Sequence, residues 1–132
     1  RGLLRLRLRL ECTEPETPEQ TLLLSMAGFH LALRIDGTVV QWQLNVTSAQ
    51  DVLARLREGR APEEPLTFDR RQAFDLELAV HSVQSKVETL RIAGQDLRPP
   101  PVKPPDPSAR RIELRALQPI RLLEAELEGR ER

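Results

Sequence analysis

The sequence predicts a mainly β domain of the α+β class, an antiparallel sandwich or partly open barrel of about seven strands with one helix near residues 49–58. Three observations predict it. Several segments alternate apolar and polar residues with period two, which is typical of half-buried strands. An Asp36-Gly37 pair separates two of these segments, and a short segment that follows them has helical spacing.

The two chain ends carry the clearest alternation. Near the amino terminus every second residue is apolar: Leu4, Leu6, Leu8, Leu10 and Cys12. The charged residues between them are Arg5, Arg7, Arg9 and Glu11. Near the carboxyl terminus, apolar residues alternate with Glu124, Glu126 and Glu128. Opposite charges on adjacent strands stabilise a sheet by a few tenths to about 1 kcal/mol per pair, so we predict that the first and last strands are neighbours.

The middle of the chain supplies further strands. Residues 21–26 and 29–35 are predicted strands interrupted near Gly28, and residues 38–46 pair with the latter through an Asp-Gly turn whose central residues need positive φ. Residues 74–80 alternate as well, and residues 112–114 form a short strand. Two segments stay open between strand and helix, 83–93 and 119–128, with the strand favoured in both.

The predicted helix has start and stop signals of its own. Ser48 caps its amino terminus, Asp51 completes a capping box, and Gly59 ends it. Its apolar stripe consists of Val52, Leu53 and Leu56. We expect this helix to lie over one face or one open end of the sheet.

Length and composition narrow the class of protein. A chain of 132 residues fits a single domain over 1–132, and its start at Arg1 suggests excision from a larger protein. The net charge is zero, whereas phosphate-binding domains are usually basic, so nucleic acid is not an expected partner. Residues 98–108 form a proline-rich loop, because proline cannot donate to a strand ladder.

Compartment and membrane association follow from two further features. The lone Cys12 cannot form an internal disulfide, which fits a cytoplasmic location. No apolar run is long enough to span a bilayer.

The sequence contains no recognisable catalytic, metal-binding or cofactor-binding constellation, and it therefore predicts neither an enzyme nor a cofactor. His30 and His81 lie on the polar faces of predicted strands without a second ligand at metal-binding spacing. Cys12 is in phase with buried leucines, where a thiol is inert. Phosphate-binding glycine loops are absent.

Three groups of residues are candidates for binding. The arginine row Arg5, Arg7 and Arg9 is the first. Arg70 and Arg71 precede the strand at 74–80, a position that resembles the leading arginines of PilZ-type cyclic-dinucleotide receptor domains. The second arginine of that family's R-x-x-x-R pattern would fall at Phe74 or Asp75, where this sequence has no arginine. The resemblance covers a handful of residues. Finally, Arg98, Pro101 and Pro104 match the pattern that SH3-type grooves bind, although a plain surface connection is the favoured interpretation.

The function that the sequence favours is a non-catalytic protein–protein interaction or assembly domain within a larger complex. Its partners would be other protein chains, or a second copy, paired through a sheet edge. The alternative is a nucleotide- or nucleic-acid-binding β-barrel that uses the surface arginines.

Overall fold

The described part of the computed structural model contains ten strands, and most of the longer ones are built from alternating apolar and polar residues. One helix follows the fourth strand. The structure describes residues 2–12, 19–58, 66–67, 69, 71–81, 84, 86–98, 102, 104 and 112–130. The elements in chain order are β1 (Leu3–Cys12), β2 (Glu19–Met26), β3 (Phe29–Asp36), β4 (Val39–Asn45), α1 (Ala49–Arg57), β5 (Leu66–Thr67), β6 (Phe74–His81), β7 (Lys86–Ile92), β8 (Gln95–Asp96), β9 (Ile112–Ala116) and β10 (Ile120–Arg130).

The strands form two five-stranded antiparallel sheets that pack face to face as a sandwich. Sheet A has the strand order β10-β1-β6-β7-β8, and sheet B has the order β5-β4-β3-β2-β9. The predicted fold class is therefore confirmed. The strand number exceeds the expected seven partly because β5 and β8 have only two residues each, too few to show alternation.

The core lies between the sheets because one side of each longer strand is apolar. Leu10 and Leu78 of sheet A and Met26 and Ile35 of sheet B are fully buried there. Cys12 is buried in phase with the leucines of β1, as predicted. The period-two pattern thus leaves the alternate residues of each strand for the outer faces of the sandwich.

A strand forms in each of the two segments that the sequence left open. Strand β7 lies within 83–93, and residues 120–128 belong to β10. The predicted pairing of the chain ends is confirmed, with Arg5 opposite Glu128, Arg7 opposite Glu126 and Arg9 opposite Glu124. A register shift at Arg9/Leu10 leaves Leu123 as the extra residue of a bulge.

The predicted hairpin at Asp36-Gly37 forms, but its turn is shifted by one residue. Asp36 pairs with Val39, so the loop residues are Gly37 and Thr38, and of these only Gly37 has positive φ, at 63°. Two further hairpins use Ala-Gly loops in which both residues have positive φ, Ala27-Gly28 and Ala93-Gly94. These loops have the backbone of a type I′ turn without its usual Asn or Asp.

Helix α1 begins where the sequence predicts. The Ser48 side chain accepts a hydrogen bond from the backbone N–H of Asp51 at 3.0 Å. The helix packs Val52 and Leu56 against Leu23 and Ala32 on the outer face of sheet B. Gly59, the predicted stop, lies outside the described residues. Among the described residues no helix has the length and hydropathy of a membrane span.

Candidate functional site: the outer face and β10 edge of sheet A

The outer face of sheet A carries a row of alternating charges that crosses all five strands. The residues of this charge ladder, from β10 to β8, are Glu126, Arg7, Glu77, Arg91 and Asp96. Each one lies directly opposite the next in the strand register. Opposed residues of antiparallel strands share a face, so each charged side chain of the ladder lies beside one of opposite sign on every neighbouring strand.

Glu77 is the centre of the ladder. Its Oε2 lies 3.4 Å from Nε of Arg5, and its Oε1 lies 3.5 Å from Nε of Arg7. Oε1 is also 3.8 Å from Nη1 of Arg91. The Glu77 side chain is only 13% exposed. One largely buried carboxylate therefore contacts three guanidinium groups from β1 and β7.

The same charge pattern continues to both sides of Glu77. Nη1 of Arg9 donates a hydrogen bond to Oδ1 of Asp75 at 3.1 Å. Nε of Arg91 donates to Oδ1 of Asp96 at 2.7 Å, and this hydrogen bond raises the pKa of the Arg91 guanidinium. The arginines of this face are thus engaged by carboxylates of the same sheet.

A groove of about 510 Å³ runs over this face and is lined by charged side chains of β10, β1, β6, β7 and β8. Five of the lining residues are carboxylates and three are arginines. The described aromatic residues Phe29, Trp42 and Phe74 are all buried, so none of them lines the groove. The groove offers hydrogen-bond donors and acceptors with an excess of negative charge.

Strand β10 forms one edge of sheet A and is exposed on both of its faces. Its outer face carries the glutamates opposite Arg5, Arg7 and Arg9. Its inner face continues the apolar row of β1, yet Leu122 is 49% exposed and Leu127 is 55% exposed. Strand β1 holds one side of β10, and no other described strand pairs with it.

The segment that leads into β10 is fixed to sheet B. The backbone N–H of Thr21 donates to Oε1 of Gln118 at 2.7 Å, and that of Leu117 donates to the Thr21 carbonyl at 3.0 Å. Nε2 of Gln20 donates to the Pro119 carbonyl at 3.1 Å. The exposed edge strand is therefore anchored at its start by hydrogen bonds to β2.

No protein-family model matches this sequence, and no curated protein does. Fourteen chains of known structure are similar to it. One is sheep galectin-11 in complex with glycerol, with a TM-score of 0.58 and 12% sequence identity over 96% of this chain and 89% of that chain. The fold is a galectin-like β-sandwich. At this identity the likeness concerns the architecture.

The galectin-like sandwich brings together some of the residues that the sequence singled out. Arg5, Arg7 and Arg9 share the outer face of sheet A and contact its carboxylates. Arg71 lies apart from them in the turn before β6, where its hydrogen bonds lower the pKa of the Asp69 carboxyl. Arg70 lies outside the described residues.

The proline-rich candidate is only partly described. Arg98 is exposed, whereas Pro104 is buried and Val102 packs against the core. Pro101 lies outside the described residues. Binding of this segment by an SH3-type groove would require Pro104 to leave its buried position.

One pair of polar side chains lies on the other sheet. Oγ of Ser25 and Nδ1 of His30 form a cross-strand hydrogen bond of 2.8 Å on the outer face of sheet B. Burial lowers the pKa of His30, and within the described part of the chain Ser25 is its hydrogen-bond partner. Over the described ranges no group of three or more His, Cys, Asp or Glu side chains is arranged to hold a metal ion.

Sequence reasoning found the Arg and Glu rows of β1 and β10 but missed the rest of the ladder. Glu77, Arg91 and Asp96 come from β6, β7 and β8. The polar positions of 74–80 carried a usable signal, because Asp75 and Glu77 occupy the face that Arg7 and Arg9 also use. Arg91 could not be placed while 83–93 remained open between strand and helix.

Proposed function

We propose that this chain is a non-catalytic protein-binding module that adds an extended segment of a partner protein to sheet A at β10. The observation that carries the proposal is the distribution of exposed apolar side chains. Five large apolar residues are exposed among those described, and three of them, Leu122, Leu123 and Leu127, lie on β10.

The physical reason is the cost of an open edge. An edge strand offers unpaired backbone N–H and C=O groups, and a long exposed edge with apolar side chains invites another chain to pair with it. Strand β10 is eleven residues long and exposed on both faces. A partner strand would satisfy its backbone groups and cover Leu122 and Leu127 on the inner face, which is how strand addition gives affinity.

The charges of β10 favour a different protein over a second copy. If β10 paired with β10 of another molecule, Glu124, Glu126 and Glu128 of the two strands would meet across the new ladder. Like charges directly opposite each other destabilise a sheet. Self-association through this edge is therefore the weaker form of the proposal.

The experiment compares capture by three forms of the protein from its native lysate. The edge variant is Leu122→Gln with Leu127→Gln, and the matched control is Leu117→Gln, an equally exposed leucine that precedes β10. We expect a partner that the wild type and the control retain and the edge variant loses. Light scattering on the purified protein detects self-association. A strictly monomeric protein whose captured proteins do not depend on Leu122 and Leu127 would contradict the proposal.

A second candidate is binding of an uncharged, polyhydroxylated ligand in the groove on the outer face of sheet A. It is favoured by the groove itself, whose volume of about 510 Å³ lies within the range of small-ligand sites. It is also favoured by the galectin-like architecture, since the similar sheep galectin-11 structure is a complex with glycerol. The groove residues offer both hydrogen-bond donors and acceptors, but no described aromatic ring on which a sugar could stack.

Saccharide titration monitored by amide chemical shifts tests the second candidate. Shifts that cluster around Glu77 and Arg91 and disappear in Arg91→Gln would support it. Spectra unchanged across a panel of neutral mono- and disaccharides would remove it.

The alternative of a nucleotide- or nucleic-acid-binding barrel has less support. Arg5, Arg7 and Arg9 already face carboxylates, and phosphate binding would require them to exchange these partners. Carboxylates also outnumber arginines in the groove, which repels a polyanion. Salt-dependent affinity for an oligonucleotide would support this function, and a titration with the oligonucleotide that shows no binding would contradict it.

A further inference from the structure

Acidic and apolar residues alternate along the edge strand β10, and this alternation indicates which kind of segment would pair with it. This inference rests on the proposed function and adds the chemistry of the partner. The regular part of β10 after its bulge, from Glu124 to Glu128, alternates acidic side chains on the outer face with Ala125 and Leu127 on the inner face.

The pairing with β1 shows which residues suit this pattern. Arg5, Arg7 and Arg9 of β1 lie opposite the three glutamates, while Leu6 lies opposite Leu127 and Leu8 opposite Ala125. A side chain in a sheet can interact with neighbours on both flanking strands. The row Glu124, Glu126 and Glu128 can therefore face a second basic row on the side of β10 that no described strand occupies.

Neither β1 nor β10 of a second copy can supply that basic row. Strand β1 has the right residues, but its backbone is already paired on both sides, with β10 and with β6. Strand β10 has an acidic row, which would oppose the glutamates. Charge complementarity therefore selects a segment of another protein.

We infer that the partner segment is an extended stretch in which arginine or lysine alternates with leucine, valine or isoleucine. Its basic side chains lie beside Glu124, Glu126 and Glu128 on the outer face. Its apolar side chains cover Leu127 and the neighbouring inner surface of β10. Backbone hydrogen bonds supply the affinity, and the alternation supplies the specificity.

The probe is a synthetic peptide of alternating arginine and leucine, about eight residues long so that it spans the regular part of β10. A peptide of the same composition with its arginines grouped together controls for net charge. A peptide of alternating glutamate and leucine controls for the sign of the charge. Calorimetry measures affinity, and hydrogen exchange of the β10 amides locates the binding.

We expect the alternating basic peptide alone to bind and to slow exchange of the β10 amides that point away from β1. Glu126→Gln should weaken its binding by about two- to five-fold, the size of one cross-strand charge pair. The matched control is Glu88→Gln, the same substitution on β7 of the same sheet, which should leave the affinity unchanged. Equal binding of the grouped peptide, preference for the glutamate peptide, or binding without protection of β10 would overturn the inference.

The inference and the proposed function can fail separately. If lysate capture yields a partner that depends on Leu122 and Leu127 but the alternating peptide neither binds nor displaces it, the function stands and the assigned chemistry is wrong. If no such partner is captured and the peptide does not bind, both fall, and the glutamates of β10 serve only to keep an open edge soluble.

Discussion

The outer faces of the two sheets are built in opposite ways. On sheet B, Leu23 and Ala32 are apolar and lie under Val52 and Leu56 of helix α1. On sheet A the corresponding surface has no helix over it in the described structure, and charged side chains hold each other in the ladder around Glu77. One face is closed by burial, and the other is open and polar.

The difference shows which face contributes more to the stability of the fold. Burial of apolar surface stabilises the fold by roughly 25 cal/mol per Å². This stabilisation is lost if α1 no longer covers sheet B, so the face under α1 serves the stability of the fold. Exposed ion pairs contribute little to stability and are screened by salt. Sheet A therefore has a face and an edge that can exchange contacts with a partner at low cost to the fold.

The largest expected effect is the loss of the cover on sheet B. Leu56 is 1% exposed between α1 and the sheet, so Leu56→Ala should lower the free energy of unfolding by about 2–5 kcal/mol, as for other buried leucines. Leu53, on the same helix but half-buried, is the control, and Leu53→Ala should cost less. Urea unfolding of the two variants measures both. Equal losses would mean that α1 does not close this face.

The next effect is on the charge ladder. Glu77→Ala leaves Arg5, Arg7 and Arg91 without their shared carboxylate and should lower the free energy of unfolding by about 1–2 kcal/mol. Glu126 pairs with Arg7 at 3.8 Å but is 66% exposed, so Glu126→Ala should cost less.

Salt sharpens this comparison within the ladder. The penalty for Glu126→Ala should shrink further in 1 M sodium chloride, where the screening length falls to about 3 Å, while that for the half-buried Glu77 should largely persist. If Glu126→Ala is as costly as Glu77→Ala, Glu77 is not the buried centre of the ladder.

The fold of this chain was largely predictable because its strands are half-buried. In β1 the leucines and arginines alternate without exception from Leu4 to Leu10, and β10 shows the complementary acidic pattern, so even their pairing could be inferred. The turns were harder to predict. Ala27-Gly28 and Ala93-Gly94 adopt positive φ without Asn or Asp, and the Asp36-Gly37 signal placed the turn one residue too early.

The candidate site was predictable only in part, because it is assembled from separate strands. Arg7 could be selected from its own strand, but its contact with Glu77 depends on β6 being the second neighbour of β1. The basic row of β1 could predict one acidic neighbour, but local patterns do not show that a second strand, β6, flanks β1 on its other side. The exposure of Leu122 and Leu127 likewise depends on sheet B not covering the inner face of β10.

The smallest effect concerns pH and the partly buried His30 on the outer face of sheet B. Burial lowers the pKa of His30 below its ordinary value of 6.5, so below that pH the unfolded chain takes up this proton more readily than the folded one. The stability present above pH 6.5 should therefore decline as the pH falls below 6.5. His30→Gln keeps a polar partner for Ser25 without titrating, and it should flatten this part of the curve. His81→Gln, on sheet A, leaves His30 in place and should retain the decline. If the curves of stability against pH are parallel for the two variants from pH 7 to about 5, His30 is not shielded from water on the outer face of sheet B. The two outer faces then differ less in burial than their side chains indicate.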